Sequence, residues 1–230
     1  MNFVYLLSVT ANFVMKTFIR FLIMIATLAN VGCGSEGFTT HEKEIIAAGE
    51  SDIMTLTTIA SEQDSVLLRS ISKPLTREMV ASEEFEVLCR RMLATVQNPQ
   101  NEGVGIAAPQ VGLLRRLVAV QRFDKEGVPC EFIVNPEIIE LGEDTKLGGE
   151  GCLSVPEISG EVMRAQSLVL RYRDANFEER TEHIEGFTAV IFQHEIDLLD
   201  GVLFIDKMEA ELKAEPEAVL GAEQSEDVAK

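Results

Sequence analysis

Phe187-Thr188-Ala189-Val190-Ile191-Phe192-Gln193-His194-Glu195-Ile196-Asp197-Leu198-Leu199 is apolar on nearly every side, with Gly186 before it and Gly201 after it. The flanking glycines supply stop signals, and the length suits one helix. A helix without a solvated face belongs inside a core. This one nevertheless carries His194 and Glu195 side by side. Burying an ionisable pair bare is costly, so the two must be hydrogen-bonded or coordinated, the plain alternative being a histidine satisfied within the core. The fold has to be assembled around this segment.

Working outward, Leu168, Leu170 and Tyr172 alternate with Val169, Arg171 and Arg173, the pattern of a half-exposed strand. A turn near Asp174–Asn176 would return the chain along Arg180–Ile184 as a hairpin. Leu117–Val120 and Phe132–Val134 are short apolar runs bounded by turn residues and predict buried strands. Earlier, Phe85, Leu88, Met92 and Val96 recur at helical spacing. Ser82 predicts the N-cap of that helix, and Glu83 and Glu84 suit its positive end. Pro99 and Gly103 close it. Strands followed by one buried helix define an α+β fold, with antiparallel strands packed around a central helix. The folded body is expected over residues 64–208, and no internal repeat is visible.

The chain has 230 residues, 46% of them hydrophobic, enough for one domain with a real core. Its 38 acidic against 20 basic residues give a formal charge of −18. Nucleic-acid phosphates and anionic membrane surfaces would repel such a chain, so neither is an expected partner of the folded body. The cysteines, at positions 33, 89, 130 and 152, form no CxxC pair, which argues against a disulfide framework. Residues 1–33 place Lys16 and Arg20 ahead of the apolar run Phe21–Val31 and then Gly32-Cys33-Gly34-Ser35. That order suits an export signal of the bacterial lipoprotein type with Cys33 as the lipidated residue, although Asn30 departs from its usual pattern. A start assigned too early and a retained membrane anchor are the alternatives. The first reading puts the protein at the cell envelope, its membrane association confined to this segment; the second puts it in the cytoplasm. Residues 34–63 read as a lead-in or linker, and 209–230, rich in Ala and Glu, as an acidic tail.

Three segments carry chemistry. In Gly103-Val104-Gly105-Ile106-Ala107-Ala108-Pro109-Gln110 the small residues allow close backbone approach, and Gln110 could donate to a developing oxyanion. In Glu150-Gly151-Cys152-Leu153-Ser154 a thiolate would be a strong zinc or iron ligand, and the Leu153 amide would point to the same place in a tight turn. A structural buried cysteine is the plain alternative. The third segment is Gln193-His194-Glu195-Ile196-Asp197-Leu198, on the apolar helix.

In order and in spacing, with 42 positions from Cys152 to His194, the three segments resemble the signature motifs of the peptide deformylases. Asn135-Pro136, Val155-Pro156 and Gly201-Val202-Leu203-Phe204 also resemble that family, and the likeness spans about residues 64–208. The resemblance implies hydrolysis of the formyl group from N-terminal formyl-methionine of a peptide or nascent chain, releasing formate. It implies Cys152 and His194 as ligands of one divalent metal, Fe²⁺ or Zn²⁺, and Glu195 as general base. Gln110 and the Leu153 amide would form the oxyanion hole. Val104 and Gly105 would hold the peptide backbone, and Val190 and Ile191 would line the pocket for the first side chain.

One position departs from that pattern. The family carries HExxH on this helix because residues four apart share a face and can grip one metal together. Here the helix reads HExxL, with Leu198 at the third ligand position. Leucine has no lone pair, so the metal is expected to be weakly held. Asp197, at i, i+3 from His194, has the spacing of a substitute donor. The family, however, carries aspartate there without using it as one. His183 lies in a predicted strand and reads as a surface residue. A zinc-protease reading fails, since it needs both helix histidines and has no use for Cys152. Three readings follow: an active but impaired deformylase, a relative that binds N-terminal peptides without turnover, or a single-base change of His to Leu.

Overall fold

The computed structural model describes residues 37–101 and 103–208. The export-type segment with Cys33, and the acidic tail from 209, lie outside the described residues.

Among the described residues, four helices precede the first strand: α1 (Thr40–Ala47), α2 (Glu62–Leu68), α3 (Arg77–Val80) and α4 (Glu83–Val96). The Ser82 hydroxyl accepts from the Phe85 amide at 3.3 Å, the cap its position predicts. Three glutamates follow in the first turn of α4, where the helix dipole favours negative charge. Phe85, Leu88, Met92 and Val96 point inward together with Arg91 and Thr95.

Strands β1 (Gly105–Ala107), β2 (Leu117–Gln121), β3 (Cys130–Leu141), β6 (Ser167–Arg173) and β7 (Glu179–Glu185) form a five-stranded sheet in the order β1-β2-β3-β6-β7. All its pairings are antiparallel. Residue alternation divides this sheet between two cores. Val118, Val120 and Ile133 face one cluster, which also holds Phe192 and Leu199 of the last helix, α5 (Gly186–Leu199). Leu117, Ala119 and Val134 face the other, which holds Leu88, Met92 and Val96 of α4. A period-2 pattern buried on both faces explains why β2 reads as continuously apolar. Strands β4 (Thr145–Cys152) and β5 (Val155–Ala165) form a separate antiparallel hairpin, and Val155 and Val162 join the cluster around α5.

Helix α5 is less evenly enclosed than its composition suggests. Phe187 is exposed, and Val190, His194 and Asp197 are half-buried, forming one stripe along the helix. The ionisable residues lie on or beside that stripe, and Leu198, one turn beyond His194, is buried in the apolar cluster.

The stretch from 37 to 63, expected as a lead-in, packs on the body. Phe38, Ile46 and Met54 are buried in the cluster with α4. Thr39 and Glu42 close a capping box on α1. The Glu42 carboxylate accepts from both Arg115 Nε at 2.5 Å and Nη2 at 3.0 Å. The buried Arg91 guanidinium donates to the carbonyls of Ile46, Ala48 and Ser51, and the Met54 amide donates to Thr95 Oγ1 at 2.8 Å.

Candidate active site

β1 brings Gly105 against the last helix. A Cβ built there would lie 2.4 Å from Glu195 Oε1 and 3.0 Å from Ile191 Cγ2, so only glycine admits this approach. A 3₁₀ turn, Ala108–Val111, follows directly and carries Gln110. The Gln110 side-chain oxygen accepts from the Ala107 amide at 2.8 Å. Its Nε2 is thereby turned outward and donates to Cys152 Sγ at 3.5 Å. The Thr57 amide donates to the Gln110 carbonyl at 2.8 Å, so the segment before α2 braces the turn.

Cys152 ends β4 at a register shift, after which the chain turns through Leu153 and Ser154 into β5. The Ile59 amide holds that turn through the Ser154 carbonyl at 2.9 Å. From α5, His194 Nδ1 lies 2.8 Å from Glu150 Oε2, and its side chain also hydrogen-bonds Cys152. Burial lowers the His194 pKa, but the hydrogen bonds to Cys152 and Glu150 outweigh it and leave it raised. Glu150 is held in turn by Arg164, with Nε to Oε1 at 2.7 Å and Nη2 to Oε2 at 3.0 Å. Burial works against its charge, yet His194 and Arg164 bring its pKa down to about 2. Arg164 also pairs with Asp197, and Lys207 Nζ lies 3.3 Å from the same carboxylate. Asp197 is therefore committed to two cations and does not stand in for the third ligand.

Glu195 is 3% exposed, and its Oε2 has no hydrogen-bond partner among the described residues. Burial pushes its pKa up to about 7; His194 opposes the rise and Glu150 adds to it. A carboxylate with its pKa near neutrality is poised to take and give protons. Leu198 is 1% exposed, in an apolar cluster against which Cys152 also packs.

These groups line one cleft of about 440 Å³, bounded by Gly103, Val104, Gly105, Gln110, Cys152, Leu153, His194 and Glu195 on one side and Val155 to Ile158 on the other. A smaller recess of about 160 Å³ adjoins it through Val104, Glu195 and His194, with Val190, Ile191 and Phe187 in its wall. The fold thus gathers Gln110, Cys152, Leu153, His194, Glu195, Val104, Gly105, Val190 and Ile191 around connected spaces. His183, exposed on β7, is not among them. Sequence reasoning assigned no role to Glu150 or Arg164. Glu150 stands inside a quoted motif, but its partner Arg164 lies across the β4–β5 hairpin, a pairing that only the register reveals.

As donors for a divalent metal, a thiol and an imidazole on facing elements suit Fe²⁺ or Zn²⁺. Where catalytic zinc sites use three protein ligands, this site offers Cys152, His194 and the apolar Leu198. Among the described residues no group of three or more His, Cys, Asp or Glu is placed to hold a metal.

An α+β domain with a thiol, an imidazole and a near-neutral carboxylate in one peptide-sized cleft defines a hydrolase-type site. Residues 56–214 match the family model described as Polypeptide deformylase. The chain is 39% identical over 151 residues to the peptide deformylase of Leptospira biflexa, covering 63% of this chain and 83% of that protein. It is 41% identical over 160 residues to that of Chlorobium phaeovibrioides, covering 68% and 79%. Among solved structures, a class I type b peptide deformylase from Acinetobacter baumannii with Met-Ala-Ser bound aligns at a TM-score of 0.60 and 33% identity, covering 67% of this chain and 98% of that one. The peptide deformylase of Thermotoga maritima aligns at 0.59 and 34% identity, covering 67% and 97%. The chain belongs to the peptide deformylase family.

Proposed function

We propose that this chain receives the formylated N-terminus of a peptide or nascent chain in the cleft and hydrolyses the formyl group to formate and a free amine. The observation that carries this reading is the convergence of Gln110, Cys152, His194 and Glu195 on one cleft. Gln110 Nε2 and the Leu153 amide would donate to the formyl oxygen as negative charge develops on it. Glu195 would take a proton from the attacking water and return it to the leaving amine; its raised pKa supports both transfers. The close approach of Gly105 seats Glu195 beside the peptide backbone, and Val190 and Ile191 would take the first side chain in the adjoining recess. Cys152 and His194 would hold the metal, Fe²⁺ or Zn²⁺, which when bound lowers the pKa of water from about 15.7 toward about 7. With leucine in the third position the ion is weakly held, and turnover is slow.

The burial of Leu198 among apolar neighbours favours a second reading, in which the cleft binds N-terminal peptides without turnover. Bound metal and formyl-Met-peptide hydrolysis, measured anaerobically for the full chain and for Leu198→His, separate the two. Stoichiometric metal with turnover in the parent supports hydrolysis. Activity in the variant alone supports peptide binding, and activity in neither overturns the deformylase assignment of the cleft. We further propose that residues 1–33 direct the protein to the cell envelope, which fractionation of cells expressing the parent and Cys33→Ser would test.

A further inference from the structure

Another cavity, of about 380 Å³, has none of the cleft's chemical residues in its lining, and its size suits a small molecule. One wall is the end of α1 and the stretch on to Met54, ahead of the residues that the family model matches. The other holds Val111 and Gly112, which close the Gln110 turn. Ile45, Ile53, Leu56 and Val111 make part of the lining apolar. Its polar groups are incompletely partnered. Thr57, 7% exposed, directs Oγ1 toward Gly112, where it would lie 3.8 Å from an added Cβ. That hydroxyl makes no hydrogen bond among the described residues. Arg91, 4% exposed, commits Nη1 and Nη2 to the carbonyls of Ile46, Ala48 and Ser51. Its Nε has no partner, and no carboxylate meets its charge among the described residues. Buried charges are ordinarily paired and buried hydroxyls hydrogen-bonded, so these two groups mark a place for an anionic head. Glu50 and Asp64 line the same cavity, and neither carboxylate has an ion pair among the described residues. A simple anion would face both carboxylates, and a simple amine would leave the Arg91 charge unmatched. A zwitterion with an apolar body satisfies the whole lining.

We propose that this cavity binds a free α-amino acid with an apolar side chain. The ligand carboxylate accepts from the Thr57 hydroxyl in the field of Arg91, the ammonium lies at Glu50 and Asp64, and the side chain rests on Ile45, Ile53 and Val111. Cys152, His194 and Glu195 take no part. The Thr57 amide also donates to the Gln110 carbonyl at 2.8 Å, so an occupant touches a residue that braces the cleft.

The test is binding, so it does not depend on turnover. Isothermal titration of the full chain with L-leucine should show saturable binding at about 1 mM or tighter. 4-Methylpentanoate lacks the ammonium and isopentylamine lacks the carboxylate. Each should bind at least about fivefold more weakly than L-leucine, the scale of a lost charged contact. Glu50 is exposed, so Glu50→Gln leaves the fold intact. Combined with Asp64→Asn, it should weaken L-leucine about tenfold and 4-methylpentanoate hardly at all. Thr57→Val should weaken L-leucine but not isopentylamine. Unfolding midpoints close to the parent's would show that both variants are folded. Isopentylamine binding as tightly as L-leucine would make this an amine site and overturn the inference. L-leucine binding that survives the double variant places the ligand elsewhere and overturns it too, as does no saturable binding up to about 10 mM.

Discussion

At position 198 a single side chain decides between two chemistries. Leucine and histidine there would both be buried on the same helix turn, but only histidine brings a lone pair to the face shared with His194. Leu198→His is expected to raise bound zinc to about one per chain and to increase formyl-peptide hydrolysis at least tenfold, the low end of what even an outer-sphere ligand partner contributes. Atomic absorption and a formate assay would check both; unchanged metal content would count against the ligand geometry. Gly105 offers a second residue-scale test. A methyl group there would meet Glu195 Oε1 at 2.4 Å, so Gly105→Ala must push the carboxylate away. In the Leu198→His background, Gly105→Ala is expected to lower kcat about 100-fold, since small displacements of a proton-transfer group are costly, while zinc content stays unchanged. Loss of zinc along with activity would show that the glycine supports the site as a whole. Much of the site was legible in the sequence, because Gly105, Gln110, Cys152, His194 and Glu195 sit in short local patterns. Glu150 and Arg164 escaped because their ion pair joins two strands across a hairpin, 14 residues apart.

Elements were legible where their period was clean. The alternation of Leu168, Leu170 and Tyr172 became β6, and the spacing from Phe85 to Val96 became α4. The β4–β5 hairpin was not read, since Thr145–Cys152 contains three glycines and no alternating apolar face. Segment 37–63 was underread for a different reason. Its anchors are two arginines far along the chain: Arg91, donating to three backbone carbonyls, and Arg115, gripping Glu42. Neither bond leaves a trace in local composition. Because the same stretch braces the Gln110 turn through Thr57 and the Cys152 turn through Ile59, its packing matters to the site. Arg91→Met is expected to destabilise the protein by about 2–3 kcal/mol, the scale of hydrogen bonds to a charged group lost from a buried position. Limited proteolysis should then cut near residues 47–53 before the rest of the domain. Cleavage distributed evenly over the chain would argue that Arg91 serves the whole core instead.

Across the molecule, a formal charge of −18 sets two effects against each other as pH falls. Toward the sequence pI of about 4.5 the self-repulsion of the folded state declines, which favours compactness. The opposing effect comes from carboxylates held ionised by arginines. Arg122, 1% exposed, is engaged by Asp124 Oδ2 at 2.7 Å, Glu131 Oε2 at 2.8 Å and Glu182 Oε2 at 2.9 Å. The hydrogen bond from Arg122 holds the Asp124 pKa below its ordinary 3.8. Burial opposes the charge of Glu182, but Tyr172 and Arg122 outweigh it and bring its pKa below 4.5. A carboxyl whose folded pKa is depressed contributes stability that is fully present above its unfolded pKa. That contribution drains away as pH falls through the folded value. Stability should therefore hold or rise from pH 7 to about 5, then fall steeply below about 4. In Arg122→Met, Asp124 and Glu182 lose the Arg122 charge that lowers their pKa values, although Lys125 still pairs with Glu131 and Glu182. Breaking such a network at one partner costs about 3–5 kcal/mol at pH 7. Near pH 3, where the parent has already protonated part of the cluster, the gap between the two proteins should narrow to a fraction of that. Denaturant unfolding at a series of pH values would read the difference directly, and a gap that stayed constant from pH 7 to 3 would show that Arg122 acts through packing on Phe192, over whose ring it lies at 5.6 Å, and not through charge.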